Sequence, residues 1–192
     1  SRPDLAINPI FATSNILNAL TSAWANQVDV SKTVTLGVST IHSGTALNII
    51  PDSAYVGGSI RYFDEQEGER AFEIFKKVAT KTAEAHNCEL IFRDSTRITT
   101  IPVINDESLS QIVREGAKEL YPDKLVSDVL WYASESFSYY SKLAPSVFSF
   151  VGIRNEDKGS GADHHNEYFD LDEEALSYSL LYTIKFVLDY TK

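Results

Sequence analysis

Thr33-Val34-Thr35-Leu36-Gly37-Val38-Ser39-Thr40-Ile41 and Ala54-Tyr55-Val56-Gly57-Gly58-Ser59-Ile60-Arg61-Tyr62-Phe63 decide how the first half of the chain is read. β-Branched and aromatic residues dominate both stretches and suit a pleated, half-buried surface, so each predicts a strand. Ser43-Gly44-Thr45 and Asn48-Ile49-Ile50-Pro51-Asp52 make a polar, turn-forming connection between them rather than a tight hairpin. On the N-terminal side, Ile10, Ile16, Leu17, Leu20 and Trp24 recur largely at three- and four-residue steps after Asn8-Pro9, which predicts a helix reaching Gln27. On the other side, Phe72, Ile74, Phe75, Val78 and Ala79 predict a helix over 66–86, and Glu89 to Arg97 reads as a further strand. The order helix, strand, strand, helix, strand predicts an α+β split βαβ sandwich of ferredoxin-like type, with its first strand expected upstream of Ser1.

Composition shifts near residue 100, which predicts a domain boundary there: 1–100 and 101–192. The second part predicts a helix over 106–120, short strands over 126–132 and 147–151, and a closing helix over 172–190. The segment from Gly152 to Asp170, rich in Gly, Asp, Asn and His, has the length of loops that carry function. With 43% apolar residues, the chain can bury a core. Its formal charge of −10 repels nucleic acid and anionic membrane, so neither is expected as a partner. No apolar run approaches the roughly 18 residues that span a bilayer. The single cysteine, Cys88, excludes an internal disulfide and reads as a packing residue; a cytoplasmic protein is the expectation.

His164-His165, followed by Asn166, Glu167 and Asp170, is the densest cluster of metal-competent side chains. Adjacent histidines point different ways, so at most one reaches a given ion, and a plain surface loop is the competing reading. A catalytic zinc site needs about three protein ligands, and the remaining histidines, His42 and His86, do not complete one. Arg61 lies within a strand, where its planar fork could grip a carboxylate with two parallel hydrogen bonds or merely be solvated on an open sheet face. Asn48 reads as a turn residue on pattern alone. Ser134-Glu135-Ser136-Phe137 reads as a helix cap with an acidic first turn, and no accompanying histidine supports a serine-hydrolase triad.

Taken in order, these stretches resemble the dinuclear-metal aminoacylase and carboxypeptidase superfamily, and within it the N-acyl-amino-acid amidohydrolases that include hippurate and auxin-conjugate hydrolases. Ser1 to Pro9 resembles the segment opening the first lid helix. Asn48-Ile49-Ile50-Pro51-Asp52 through Gly58-Ser59-Ile60-Arg61 resembles the Asn-Val-Ile-Pro and Gly-Thr-Ile-Arg stretch. Ser134-Glu135-Ser136-Phe137 resembles Ser-Glu-Asp-Phe, with Ser136 in place of the usual aspartate, and His164-His165-Asn166-Glu167-Tyr168-Phe169-Asp170 resembles the terminal metal-ligand motif.

The resemblance implies a lid and dimerisation domain followed by the C-terminal part of an α/β metallohydrolase catalytic domain. It implies that His165 is a metal ligand, that Arg61 holds the free carboxylate of the substrate and that Asn48 contacts the scissile amide region. Two divalent ions, zinc, manganese or cobalt, would activate the attacking water. The general base and the other ligands are expected upstream of Ser1, leaving the 192 residues inactive by themselves. The implied reaction is hydrolysis of the amide bond of N-acyl amino acids or small peptides, and the implied partner is a second copy bound through the lid. The competing reading is a non-catalytic oligomerisation or carboxylate-sensing module.

Overall fold

The computed structural model describes residues 2–127 and 129–192. The chain divides into two compact units, Ser1–Pro102 with Tyr132–Ser136, and Val103–Trp131 with Phe137–Lys192. The first unit holds helix α1 (Pro9–Gln27), strands β1 (Val34–Ser43) and β2 (Ala54–Tyr62), and helix α2 (Glu65–Ala85). The second holds α3 (Glu107–Leu120) and α4 (Glu174–Tyr190). No helix among the described residues is long and apolar enough to cross a membrane.

Local chemistry sets the helix ends. The Asn8 side chain accepts from Ile10 N at 3.0 Å ahead of Pro9, Asp64 accepts from Glu67 N at 3.0 Å, and Asp106 accepts from Leu109 N at 2.9 Å. Each such cap stabilises its helix by about 1 kcal/mol. α2 ends in a Schellman motif: Asn87 takes a left-handed φ of 56°, its N–H bonds Glu84 O at 2.9 Å, and Cys88 N bonds Ala83 O at 3.0 Å.

α1 and α2 bury a seam of small residues, Ala12, Ala23, Ala71, Ala79 and Ala83, with Leu20 beside them. Small side chains let the two helices approach closely. β1 and β2 pair antiparallel from Val34↔Tyr62 to Ser43↔Ala54, with an irregularity between Val38 and Thr40. Val34 and Leu36 are half-buried and alternate with exposed Thr35 and Gly37, and Trp24 Nε1 donates to Val34 O at 3.3 Å, fastening α1 to the sheet. Gly68 permits another close approach, since a Cβ there would overlap the Tyr62 ring.

The mixed α/β class expected from the sequence holds, but among the described residues the sheet has two strands. Glu89 to Arg97 forms no strand. In a split βαβ arrangement a strand entering here after α2 is separated from β2 by one intervening strand. Residues 2–8 supply none, because Pro3–Leu5 is a 3-10 turn, so the segment has no ladder to join. The expected strands 126–132 and 147–151 are also absent among the described residues, and Asp128 lies outside them. The Asn105 side chain takes both backbone groups of Phe148, with Nδ2 to Phe148 O at 2.9 Å and Phe148 N to Oδ1 at 2.8 Å. A side-chain amide thereby occupies the positions a neighbouring strand would use.

Candidate substrate and metal residues

Arg61 is the penultimate residue of β2 and stands opposite Thr35. It is half-buried, and its Nη1 donates to Ser134 Oγ. Two residues farther on each side, the Phe63 and Tyr132 rings meet edge to face, with centroids 5.1 Å apart at 84°. The 61/134 and 63/132 pairs share the two-residue spacing of one strand face, so residues 132–134 are attached at two points to the end of β2. A guanidinium offers five donors. Among the described residues no carboxylate pairs with Arg61.

Asn48 is exposed in the connection between the strands. Ser43 Oγ donates to Ser53 O at 2.9 Å and closes the base of that connection. Arg61 lies seven strand residues beyond Ala54, roughly 23 Å at the rise of a β-strand. Asn48 and Arg61 therefore sit at opposite ends of the hairpin, and one chain does not bring them together.

The two histidines of the second unit diverge, as adjacent residues in a loop must. His164 packs its ring edge to face against Trp131 and Phe169, at 5.6 Å and 5.2 Å. His165 is exposed and has a left-handed φ of 66°, a conformation that costs a non-glycine residue free energy and clusters at functional sites. Asn166 N donates to Asp163 O at 3.3 Å and Phe169 N to Asn166 O at 3.0 Å, so the turn is held on both sides of the strained residue. Asp170 Oδ1 accepts from Leu171 N at 2.7 Å.

Below this loop, Asp172 accepts from Asn155 Nδ2 at 2.6 Å and from Lys158 Nζ at 2.8 Å. The Asn155 and Lys158 hydrogen bonds lower its carboxyl pKa to about 2. His86 is engaged with Asn15 at 2.9 Å, and His42 stacks on Tyr55, so both serve local structure. Among the described residues no group of three or more His, Cys, Asp or Glu side chains is placed to hold a metal ion. His165 can supply one ligand; these residues do not fit a complete centre.

The Ser134 motif behaves differently from a capped α-helix. It leads into a 3-10 helix, Ser136–Lys142, and the Ser134 hydroxyl oxygen accepts from Arg61. Nothing local in the sequence marks Ser134 for that contact, because its partner is 73 residues away.

The Peptidase dimerisation domain family model matches residues 1–87. Thermostable carboxypeptidase 1 of Saccharolobus solfataricus is 31% identical over 94% of this chain and 45% of its own length. IAA-amino acid hydrolase ILR1-like 4 of Arabidopsis thaliana is 29% identical over 92% of this chain and 41% of its own. The chain thus spans a little under half the length of these curated relatives. A solved Bacillus subtilis protein, described as a dinuclear metal binding peptidase from the M20 family, superposes with a TM-score of 0.71 at 23% identity, over 97% of this chain and 47% of that one. Residues 1–87 thus match the peptidase dimerisation domain family, and along nearly its whole length this chain is similar to parts of carboxypeptidases and amino-acid-conjugate hydrolases.

Proposed function

We propose that these residues are the C-terminal half of a metal-dependent amidohydrolase that cleaves N-acyl amino acids or small peptides, and that within this half Arg61 holds the free carboxylate of the substrate. The observation that carries the assignment is the state of Arg61: half-buried, steadied by one hydroxyl, and without a carboxylate partner among the described residues. A planar guanidinium in that state presents a donor edge matched to a carboxylate.

Asn48 contacts the scissile amide region, and His165 contributes one ligand to divalent ions whose other ligands come from residues outside this chain. Those ions, when bound, supply an activated water. The relatives' names and the strained His165 support this reading, and the incomplete ligand set makes the 192 residues inactive by themselves. α4 also favours a larger parent: Leu176, Leu180, Leu181, Val187 and Leu188 are all exposed on it, and an exposed apolar face of this kind marks a surface that other protein covers. The protein pairs with a second copy through the dimerisation domain.

The test compares an N-acyl amino acid with its carboxamide analogue in the full-length protein. Arg61→Ala removes two charge-assisted hydrogen bonds, worth roughly 2–4 kcal/mol, and should cut kcat/KM on the acid on the order of a hundredfold while sparing the carboxamide. Lysine in place of Arg61 should restore little. Equal losses on both substrates would make Arg61 a support of the fold and end the carboxylate assignment.

A further inference from the structure

We propose that Ser134 is a positioning residue for Arg61: its hydroxyl fixes the guanidinium so that the Nε/Nη2 edge stays turned toward the substrate carboxylate. The inference rests on the reading of Arg61 as the carboxylate clamp and adds the device that orients it.

The starting point is the cost of ordering an arginine. A free arginine side chain carries about 2 kcal/mol of rotamer entropy, and a clamp that must be ordered on each binding event gives up that much affinity. Here one terminal nitrogen, Nη1, is already bonded to Ser134 Oγ. A bidentate grip needs two parallel N–H groups, and with Nη1 held, the opposite edge remains available.

Ser134 is itself held. Tyr132, two residues earlier, packs edge to face on Phe63, two residues beyond Arg61, at a centroid distance of 5.1 Å. The aromatic pair sets the register of the segment against β2, and that register places the hydroxyl at the guanidinium. The serine accepts one hydrogen bond from Arg61 and keeps its own O–H free to donate elsewhere. An alanine here removes the acceptor without adding bulk or charge, and a threonine keeps the hydroxyl.

The experiment uses Ser134→Ala and Ser134→Thr in the full-length protein, beside Arg61→Ala. Kinetics are read on the acid and the carboxamide, and arginine side-chain nitrogens are followed by NMR in the substrate-free protein. Ser134→Ala should lower the acid-over-carboxamide preference roughly tenfold, through KM with kcat nearly unchanged. Ser134→Thr should keep most of the preference, and the double variant with Arg61→Ala should be no worse than Arg61→Ala alone. The wild-type Arg61 Nη signals should be resolved by restricted rotation and should merge in Ser134→Ala.

If Arg61→Ala removes the preference while Ser134→Ala leaves it within about twofold, the positioning role is wrong and the clamp stands. If Arg61→Ala spares the preference, the clamp reading fails first and takes this role with it. Equal losses on both substrates in Ser134→Ala would reduce the serine to a staple between chain segments. Should that variant fold poorly, merged Arg61 Nη signals in the wild type would by themselves overturn the proposal.

Discussion

Because Arg61 and Asn48 sit at opposite ends of the β1–β2 hairpin, with roughly 23 Å of strand from Ala54 to Arg61 between them, they cannot both grip one small substrate from the same chain. If both serve one reaction centre, a dimer must bring Asn48 of one copy to Arg61 of the other. Mixing two inactive variants tests this. Arg61→Ala costs on the order of a hundredfold through the lost clamp, and Asn48→Ala costs a similar factor if its amide donates where charge develops on the scissile carbonyl. After a 1:1 mixture reassorts through unfolding and refolding, about half the dimers are mixed. In each mixed dimer one site carries both substitutions and the other carries neither. About a quarter of wild-type activity should therefore return, some 25-fold above either variant alone. The assay is initial rate on an N-acyl amino acid after co-refolding, with each variant refolded alone as control. Were both residues to act from one chain, every mixed dimer would hold two damaged sites. Activity of the mixture staying at the level of the separate variants would refute the shared-site reasoning.

The remaining predictions concern the fold that presents these residues. On helix propensity alone, Gly68→Ala should stabilise α2 by about 1 kcal/mol. The new Cβ overlaps the Tyr62 ring, whose hydroxyl donates to Thr100 O at 2.8 Å, and overpacking of this kind costs about 1–3 kcal/mol. The melting temperature should therefore fall, and a rise would show that Tyr62 yields freely. The Asp172 carboxyl, held at about pKa 2 by Asn155 and Lys158, lies below its unfolded value near 3.9. Its contribution to stability is thus complete above about pH 4 and is lost as pH falls toward 2. In acid titrations followed by circular dichroism, Asp172→Asn should be less stable than wild type at neutral pH, with the gap closing over that window; a gap independent of pH would remove the carboxylate from the account.

Four helices and two strands were legible in the sequence because the causes of each are local. Asn8, Asp64 and Asp106 cap their helices through bonds to residues two or three positions away, and a β-branched run announces a strand without reference to its partner. The divergence of His164 from His165 was legible in the same way. What the sequence could not reveal depends on partners distant along the chain. Glu89 to Arg97 has strand composition, but a strand exists only in a ladder, and the described residues offer it no neighbour. Val147 to Val151 has strand composition too, yet Asn105 occupies the hydrogen-bonding groups of Phe148 from 43 positions away. Tertiary structure alone assigned Ser134 to Arg61 and separated Arg61 from Asn48. Periodicity and capping report contacts within one or two turns, whereas a side-chain bond across 73 residues and a distance measured along a paired strand exist only once the chain has folded.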